Sequence, residues 1–196
     1  MRGLLGLLLL AMGLTAVARA ETFPFPEHGF EMTCLDSWEQ ISTTFSEEEM
    51  DGWDYGSRRI NDSIQARSEK RILRLLNPYL PHGTPPEILL KIRPANGKSA
   101  AENLRDGRQR LRENLNVLSI FGPKEVQAGE FDGALLDVSI ELKRHGQSLM
   151  ARILLWRVQL ESKELSVIAT HTADVDTRAL PEIEDCVQSL RRIGQP

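Results

Sequence analysis

The last third of the sequence alternates apolar and polar residues more regularly than any other part of the chain. In "ALLDVSIEL", residues 134–142, Leu136, Val138 and Ile140 alternate with Asp137 and Ser139. A period of two residues is typical of a strand with one buried face. "SLMARILLWRVQL" and "LSVIATHTADV" follow, and the polar turns "KRHGQ" and "ESKE" separate the three segments. Short turns between consecutive strands predict an antiparallel meander.

The N-terminal half predicts shorter elements. "FEMTCL" (30–35) alternates like a strand, "DS" follows as a turn, and "WEQISTTF" (38–45) is predicted to be its antiparallel partner. Apolar residues on one side of 62–76 predict a helix. This helix should end before "NPYLPHGTPP", because proline cannot continue a helix. "EILLKIRP" (87–94) is predicted to be a buried strand.

Two more helices are predicted. Ser99 and Glu102 form the pattern of a capping box ahead of a helix with one apolar stripe. The final helix lies in "LPEIEDCVQSLRRI" (180–193), with an apolar residue at each helical repeat: Ile183, Cys186, Val187, Leu190 and Ile193. The order β-β-α-β-α-β-β-β-α predicts an α+β fold with a mainly antiparallel sheet in an α/β/α-type sandwich.

Residues 1–20 have the pattern of a cleaved signal peptide. Arg2 precedes the apolar run "LLGLLLLAMGLTAV", and "ARA" ends in a small-x-small site that predicts cleavage between Ala20 and Glu21. The run is too short for a typical membrane span, although a retained anchor is the alternative. We therefore expect a periplasmic or secreted protein with no stable membrane insertion. Residues 21–196 would form one domain, with an insert at about 46–86.

The charge of the mature chain argues against nucleic-acid binding. The whole sequence has 24 basic and 28 acidic residues. Removal of Arg2 and Arg19 leaves 22 basic residues and a net charge of −6. Proteins that bind nucleic acids usually present a basic surface.

The sequence has two cysteines, Cys34 and Cys186, and both fall on apolar stripes. A reactive thiol is normally partly exposed beside a cation, so neither is expected to be a nucleophile. Neither has the spacing of a zinc ligand. Paired burial and a disulfide remain, and the exported location favours a disulfide.

No motif predicts a catalytic, metal or cofactor site. There is no G-x-S-x-G elbow and no glycine-rich phosphate loop. The acidic stretch "SEEEMDGWD" has enough carboxylates for a weak calcium site but lacks EF-hand spacing, so a solvated loop is expected. None of the four histidines has a suitably spaced partner: His28, His82, His145 and His171.

Three segments resemble the PsbP-like superfamily, in its exported bacterial LpqN and DcrB-type branch. "GFEMTCLDSWEQI" resembles the opening strand, turn and Trp of that superfamily, and "FDGALLDVSIEL" resembles its central strand. "IEDCVQSLRRI" is similar to its closing helix. The resemblance implies the fold of the superfamily, and it implies accessory or partner-binding activity without shared catalytic residues.

These observations predict an exported, non-enzymatic accessory or protein-binding module of the bacterial envelope. Such a module would assist complex assembly or neutralise a partner such as a toxin. Trp53, Tyr55 and Tyr79 lie in the polar insert and are the candidate partner surface.

The basic cluster Arg67, Lys70, Arg71 and Arg74 is expected to be the outer face of a packed helix, with a membrane-surface helix as the alternative. Two alternative functions are a carrier with a pocket between sheet and helices, and an enzyme with an unrecognised site.

Overall fold

The computed structural model of the chain describes residues 19–54, 70–80, 85–173 and 176–194. The predicted signal peptide therefore lies outside the described residues except for its last two positions. Within the described ranges, no helix is both long and apolar enough to cross a membrane.

The described residues contain eleven strands and three α-helices. The strands are β1 Ala20–Phe25, β2 Phe30–Leu35, β3 Glu39–Gln40, β4 Trp53–Asp54, β5 Arg71–Leu76, β6 Glu87–Pro94, β7 Asn116–Ala128, β8 Phe131–Arg144, β9 Gln147–Gln159, β10 Lys163–Thr172 and β11 Arg191–Arg192. The helices are α1 Glu47–Met50, α2 Ala100–Asn114 and α3 Asp176–Gln188.

The predicted meander is confirmed and forms the centre of an eight-stranded antiparallel sheet. Strand β8 pairs with β9, and β9 pairs with β10. The strand order is β3-β5-β6-β10-β9-β8-β4, and β7 also pairs with β8. Each face of this sheet contributes to a separate core, because apolar side chains point alternately to the two sides.

A different layer covers each face. Helix α2 packs on β7, β8 and β9 on one face, and Ser99 and Glu102 form the predicted capping box at its start. On the other face lie helix α3 and a small sheet with the order β1-β2-β11. The α+β class and the mainly antiparallel sheet are therefore confirmed.

The predicted partner of the first strand is wrong. Strand β2 pairs with β1, residue Phe30 opposite Phe25, and not with residues 38–45. A 3-10 turn over Pro26–His28 and the left-handed Gly29 (φ 74°) close this hairpin. Pro24 is compatible with β1 because that strand is at the edge of the small sheet.

The helix predicted over 62–76 is wrong where the structure describes it. Residues Arg71–Leu76 form β5, which pairs with β6, and residues 62–69 lie outside the described ranges. Leu73 and Leu75 alternate into the core, so the pairing with β6 prevails over the weak helical pattern. The last helix also ends earlier than predicted, because Arg191 and Arg192 pair with β2.

The disulfide Cys34–Cys186 joins β2 to α3, with a Cα–Cα distance of 4.7 Å. Both cysteines are buried in the core that this layer shares with the sheet. Ser189 reinforces the link, because its hydroxyl donates to the Thr33 carbonyl at 2.7 Å and accepts from the Thr33 amide at 2.7 Å.

A second link joins the same helix to the large sheet. The indole Nε1 of Trp38, which is fully buried, donates to Glu182 Oε2 at 3.0 Å. The Asn77 side chain, just after β5, donates to the same oxygen at 2.9 Å. Glu182 therefore satisfies two buried donors and fixes α3 over the end of β5.

We expect the Cys34→Ala/Cys186→Ala protein to be less stable than the oxidised chain. The disulfide spans 152 residues, and the chain-entropy relation for such a loop gives about 4–5 kcal/mol as an upper value. Urea unfolding followed by circular dichroism measures the difference. Equal unfolding free energies for the two proteins would contradict a stabilising disulfide.

Candidate interaction surfaces

The structure does not bring the predicted surface residues together. Trp53 is in β4, which pairs with the Arg144 end of β8 at one edge of the sheet. Tyr79 follows β5 and contacts Glu39 of β3, at the opposite edge. Tyr55 lies outside the described residues. Trp53 and Tyr79 therefore belong to two separate surfaces.

The Trp53 side chain packs against the core, whereas the sequence suggests an exposed residue of a partner surface. Its ring is half-buried against the core under α2, and the Arg144 guanidinium lies 5.2 Å from its centroid. This arrangement is a cation–π contact that covers a core edge.

Tyr79 is exposed, with 68% of its surface accessible. Its hydroxyl donates to Glu39 Oε1 at 3.0 Å. This hydrogen bond raises the pKa of Tyr79, because it stabilises the protonated phenol beside a carboxylate.

The basic cluster is not an exposed helix face. Arg71 and Arg74 are buried on β5, Lys70 is exposed, and Arg67 lies outside the described residues. The Arg74 guanidinium lies 3.8 Å from the centroid of Phe45. Its Nη2 also forms an ion pair with the Glu87 carboxylate at 2.9 Å.

Glu49 of the acidic stretch contacts the same arginine from a more exposed position. Its Oε1 lies 2.8 Å from Arg74 Nη2. Partial burial raises the pKa of Glu49, but the hydrogen bonds from Arg74 and Ser46 together with the Arg74 charge outweigh that effect, so the net shift of the pKa is downward. Within the ranges that the structure describes, no group of three or more His, Cys, Asp or Glu residues is arranged to hold a metal ion.

A cluster of buried charges fixes helix α2 over the sheet. Glu164, 1% exposed, lies 2.6 Å from Arg93 Nη2 and 3.0 Å from Arg157 Nη1. Asn103 of α2 donates to the other oxygen of Glu164 at 2.5 Å. Burial lowers the pKa of Arg157, and nearby Arg93 lowers it further. The carboxylate thus balances the more exposed Arg93 and the largely buried Arg157, which would otherwise lack a nearby counter-charge.

Glu164→Gln should destabilise the protein by about 3–5 kcal/mol, because it leaves the partly buried Arg157 without its counter-charge. Asp137→Asn is the matched control: Asp137 pairs with Arg152 at 2.8 Å, but both side chains are more exposed. Its loss should cost at most about 1 kcal/mol. Chemical denaturation of both variants measures these costs, and equal costs would mean that Glu164 is not a structural centre.

Sequence reasoning missed an exposed apolar surface beside the meander. We call it the meander-edge surface, and it comprises Leu118 and Phe121 of β7 with Met150 of β9. Their exposed fractions are 51%, 66% and 58%. Phe121 lies opposite Asp137, and Met150 lies opposite Glu141. Alternation places both on the sheet face that α3 and the small sheet cover only at its other end.

The shape of β7 contributes to this exposure. The register with β8 shifts between Val117 and Ser119, so Leu118 is the extra residue of a bulge. A depression of about 400 Å³ lies beside Leu118, lined by Arg112 and residues 115–120. The sequence does not predict strand β7, so it also does not predict on which face of the sheet Phe121 lies.

A second concave surface lies at the opposite end of the meander. This end cleft has a volume of about 460 Å³. Turns from four parts of the chain line it: His28, Gly29, Phe131, Leu160, Glu161, Ser162, Lys163, Arg192, Ile193 and Gly194. The cleft opens where the small sheet meets the β9–β10 turn, not between the sheet and α2.

Known structures share this architecture. LpqN of Mycobacterium tuberculosis, involved in cell envelope biogenesis, matches with a TM-score of 0.58 and 13% identity over 89% of this chain and 92% of its own. The cyanobacterial PsbP of Synechocystis matches with a TM-score of 0.52 and 8% identity, covering 94% and 99% of the two chains. The domain has the PsbP-like fold. The resemblance of the three sequence segments is therefore confirmed at the level of the fold.

A third PsbP-like structure is the Ran-binding protein Mog1p of Saccharomyces cerevisiae. It matches with a TM-score of 0.51 and 9% identity, covering 89% of this chain and 96% of its own. This chain also spans 48% of a longer protein of Bacteroides thetaiotaomicron. No model of a known protein family matches the sequence, and no curated protein matches it either.

Proposed function

We propose that this chain is an exported, non-enzymatic module that binds another protein of the bacterial envelope. The predicted signal peptide and the disulfide support an oxidising compartment outside the cytoplasm. One protein with this fold is named as Ran-binding, and another as involved in cell envelope biogenesis. These names support partner binding as the activity and the envelope as the location.

The meander-edge surface is the observation that carries this proposal. Large apolar side chains at interfaces contribute most when they lie beside concave, water-excluding surroundings. Leu118 and Phe121 are exposed on the edge strand β7, and Met150 is exposed on β9. Of these three residues, Leu118 lines the 400 Å³ depression, which lies on the α2 side of β7. The bidentate ion pair between Arg152 and Asp137 lies on the same face between Phe121 and Met150. Protein interfaces commonly combine large apolar side chains with polar groups that can hydrogen-bond the partner.

A second candidate contact surface is centred on Tyr79, which lies in the predicted insert. Its hydroxyl is held by Glu39, and Trp53 is too far along the sheet to join it. We therefore assign the primary contact to the meander-edge surface. Deletion of 46–86 would not separate the two surfaces, because that range contains β5, a strand of the core.

Photo-crosslinking in the native envelope distinguishes these surfaces. Benzoylphenylalanine is placed at position 121, at position 79, or at Gln109, an exposed position of α2 that serves as the control. We expect a discrete adduct with a different protein from position 121, and no such adduct from positions 79 or 109. Met150→Gln should reduce the yield at position 121 by at least about threefold, since interface aromatics and Met contribute about 1 kcal/mol or more.

Three outcomes would contradict the assignment. An adduct from position 79 alone would move the contact to the insert. An adduct twice the mass of this chain would make the partner a second copy. Equal adducts from position 109, or none from any position, would leave no specific protein contact at the meander edge.

A further inference from the structure

The end cleft contains a lysine that is held in place by two acceptors. Lys163 Nζ donates to the Glu27 carbonyl at 2.8 Å and lies 2.9 Å from His28 Nδ1. The histidine ring in turn stacks on Phe30, with centroids 6.4 Å apart. An ammonium group has three donors, so one N–H of Lys163 remains for another acceptor. The side chain is thus positioned in advance, which lowers the entropic cost of binding.

A second cation lies on the same cleft. The guanidinium of Arg192 lies over the Phe131 ring, 4.9 Å from the centroid. The backbone of this residue is fixed independently, because its amide donates to Glu130 Oε2 at 2.9 Å. Glu161 is the single acidic residue among those lining the cleft. The carboxylates of Glu161 and Glu130 partly balance the two cations, but an anionic group that contacts Lys163 and Arg192 directly is still favoured because its hydrogen bonds are charge-assisted.

The rest of the cleft is suited to an apolar group. Phe131, Leu160 and Ile193 line it together with Gly29 and Gly194, whose lack of side chains leaves room against the backbone. The Gly129 backbone keeps the β7–β8 turn close to Leu190: a β-carbon at this position would collide with the Leu190 carbonyl. The position of Phe131 is therefore determined by tight backbone packing.

We propose that the end cleft binds a small organic carboxylate with an apolar body. Its carboxylate would accept hydrogen bonds from Lys163 Nζ and the Arg192 guanidinium, and its apolar part would lie against Phe131 and Leu160. Charge-assisted bonds of this kind are stronger than those between neutral groups. The carboxylate can come from a free acid or from the C-terminus of a peptide. This site is separate from the meander-edge surface, and either assignment stands without the other.

An NMR titration of the ¹⁵N-labelled, oxidised mature chain tests the proposal, with benzoate as the probe. Benzamide has the same ring without the charge and serves as the ligand control. We expect benzoate to shift the amides of residues 28–29, 131, 160–163 and 192–194 in a saturable way, and benzamide to shift them much less. Lys163→Gln should raise the benzoate Kd at least about fivefold, because it removes a charged donor. Lys143→Gln, near the other end of β8, should leave the Kd unchanged.

Arg192→Gln is the second variant, for use if Lys163→Gln does not fold, and it should also weaken benzoate binding. The tripeptide Ala-Ala-Phe and its C-terminal amide separate the two sources. Tighter binding of the peptide acid than of benzoate assigns the cleft to chain termini, and weaker binding assigns it to free acids. Equal shifts with benzoate and benzamide, or the same Kd for the Lys163 and Lys143 variants, would overturn the proposal.

Discussion

The covalent and hydrogen-bonded link between β2 and α3 is the interaction on which the second layer depends. Neither the two small N-terminal strands nor the last helix can bury its apolar face alone. The disulfide joins Cys34 to Cys186, and Ser189 bonds the backbone of Thr33 beside it. Together they form one unit, and this unit packs on one face of the large sheet.

Both candidate sites follow from the length of that unit. Strand β8 has 14 residues and extends about 46 Å at 3.3 Å per residue. Helix α3 has 13 residues and is about 20 Å long. The second layer therefore cannot cover the whole face of the meander. At one end the uncovered face carries Phe121 and Met150, and at the other the layer meets the β9–β10 turn and forms the end cleft.

Sequence patterns predicted the parts of the fold in which local and tertiary preferences agree. The meander alternates over full strands, and Ser99 with Glu102 marks the start of α2, so both were found. The sequence predicts a helix over Arg71–Leu76 because Ile72, Leu75 and Leu76 also fit helical spacing. Its pairing with β6 decided the outcome, and such long-range pairing has no local signal.

The candidate sites were harder to predict than the fold. The Leu118 bulge and the Gly122–Pro123 break interrupt the alternation of β7, and the exposed Phe121 was missed with the strand. Lys163 and Arg192 lie 29 positions apart in the sequence and belong to separate turns. Their proximity depends on how the two layers meet, and a single sequence carries no signal for it.

Native-state hydrogen exchange of the oxidised and reduced protein tests the central claim, that the Cys34–Cys186 link holds the second layer on the sheet. On reduction, the amides of β2 and α3 should exchange through an opening that the amides of β8 and β9 do not share; equal acceleration in both layers, or none in either, would contradict it.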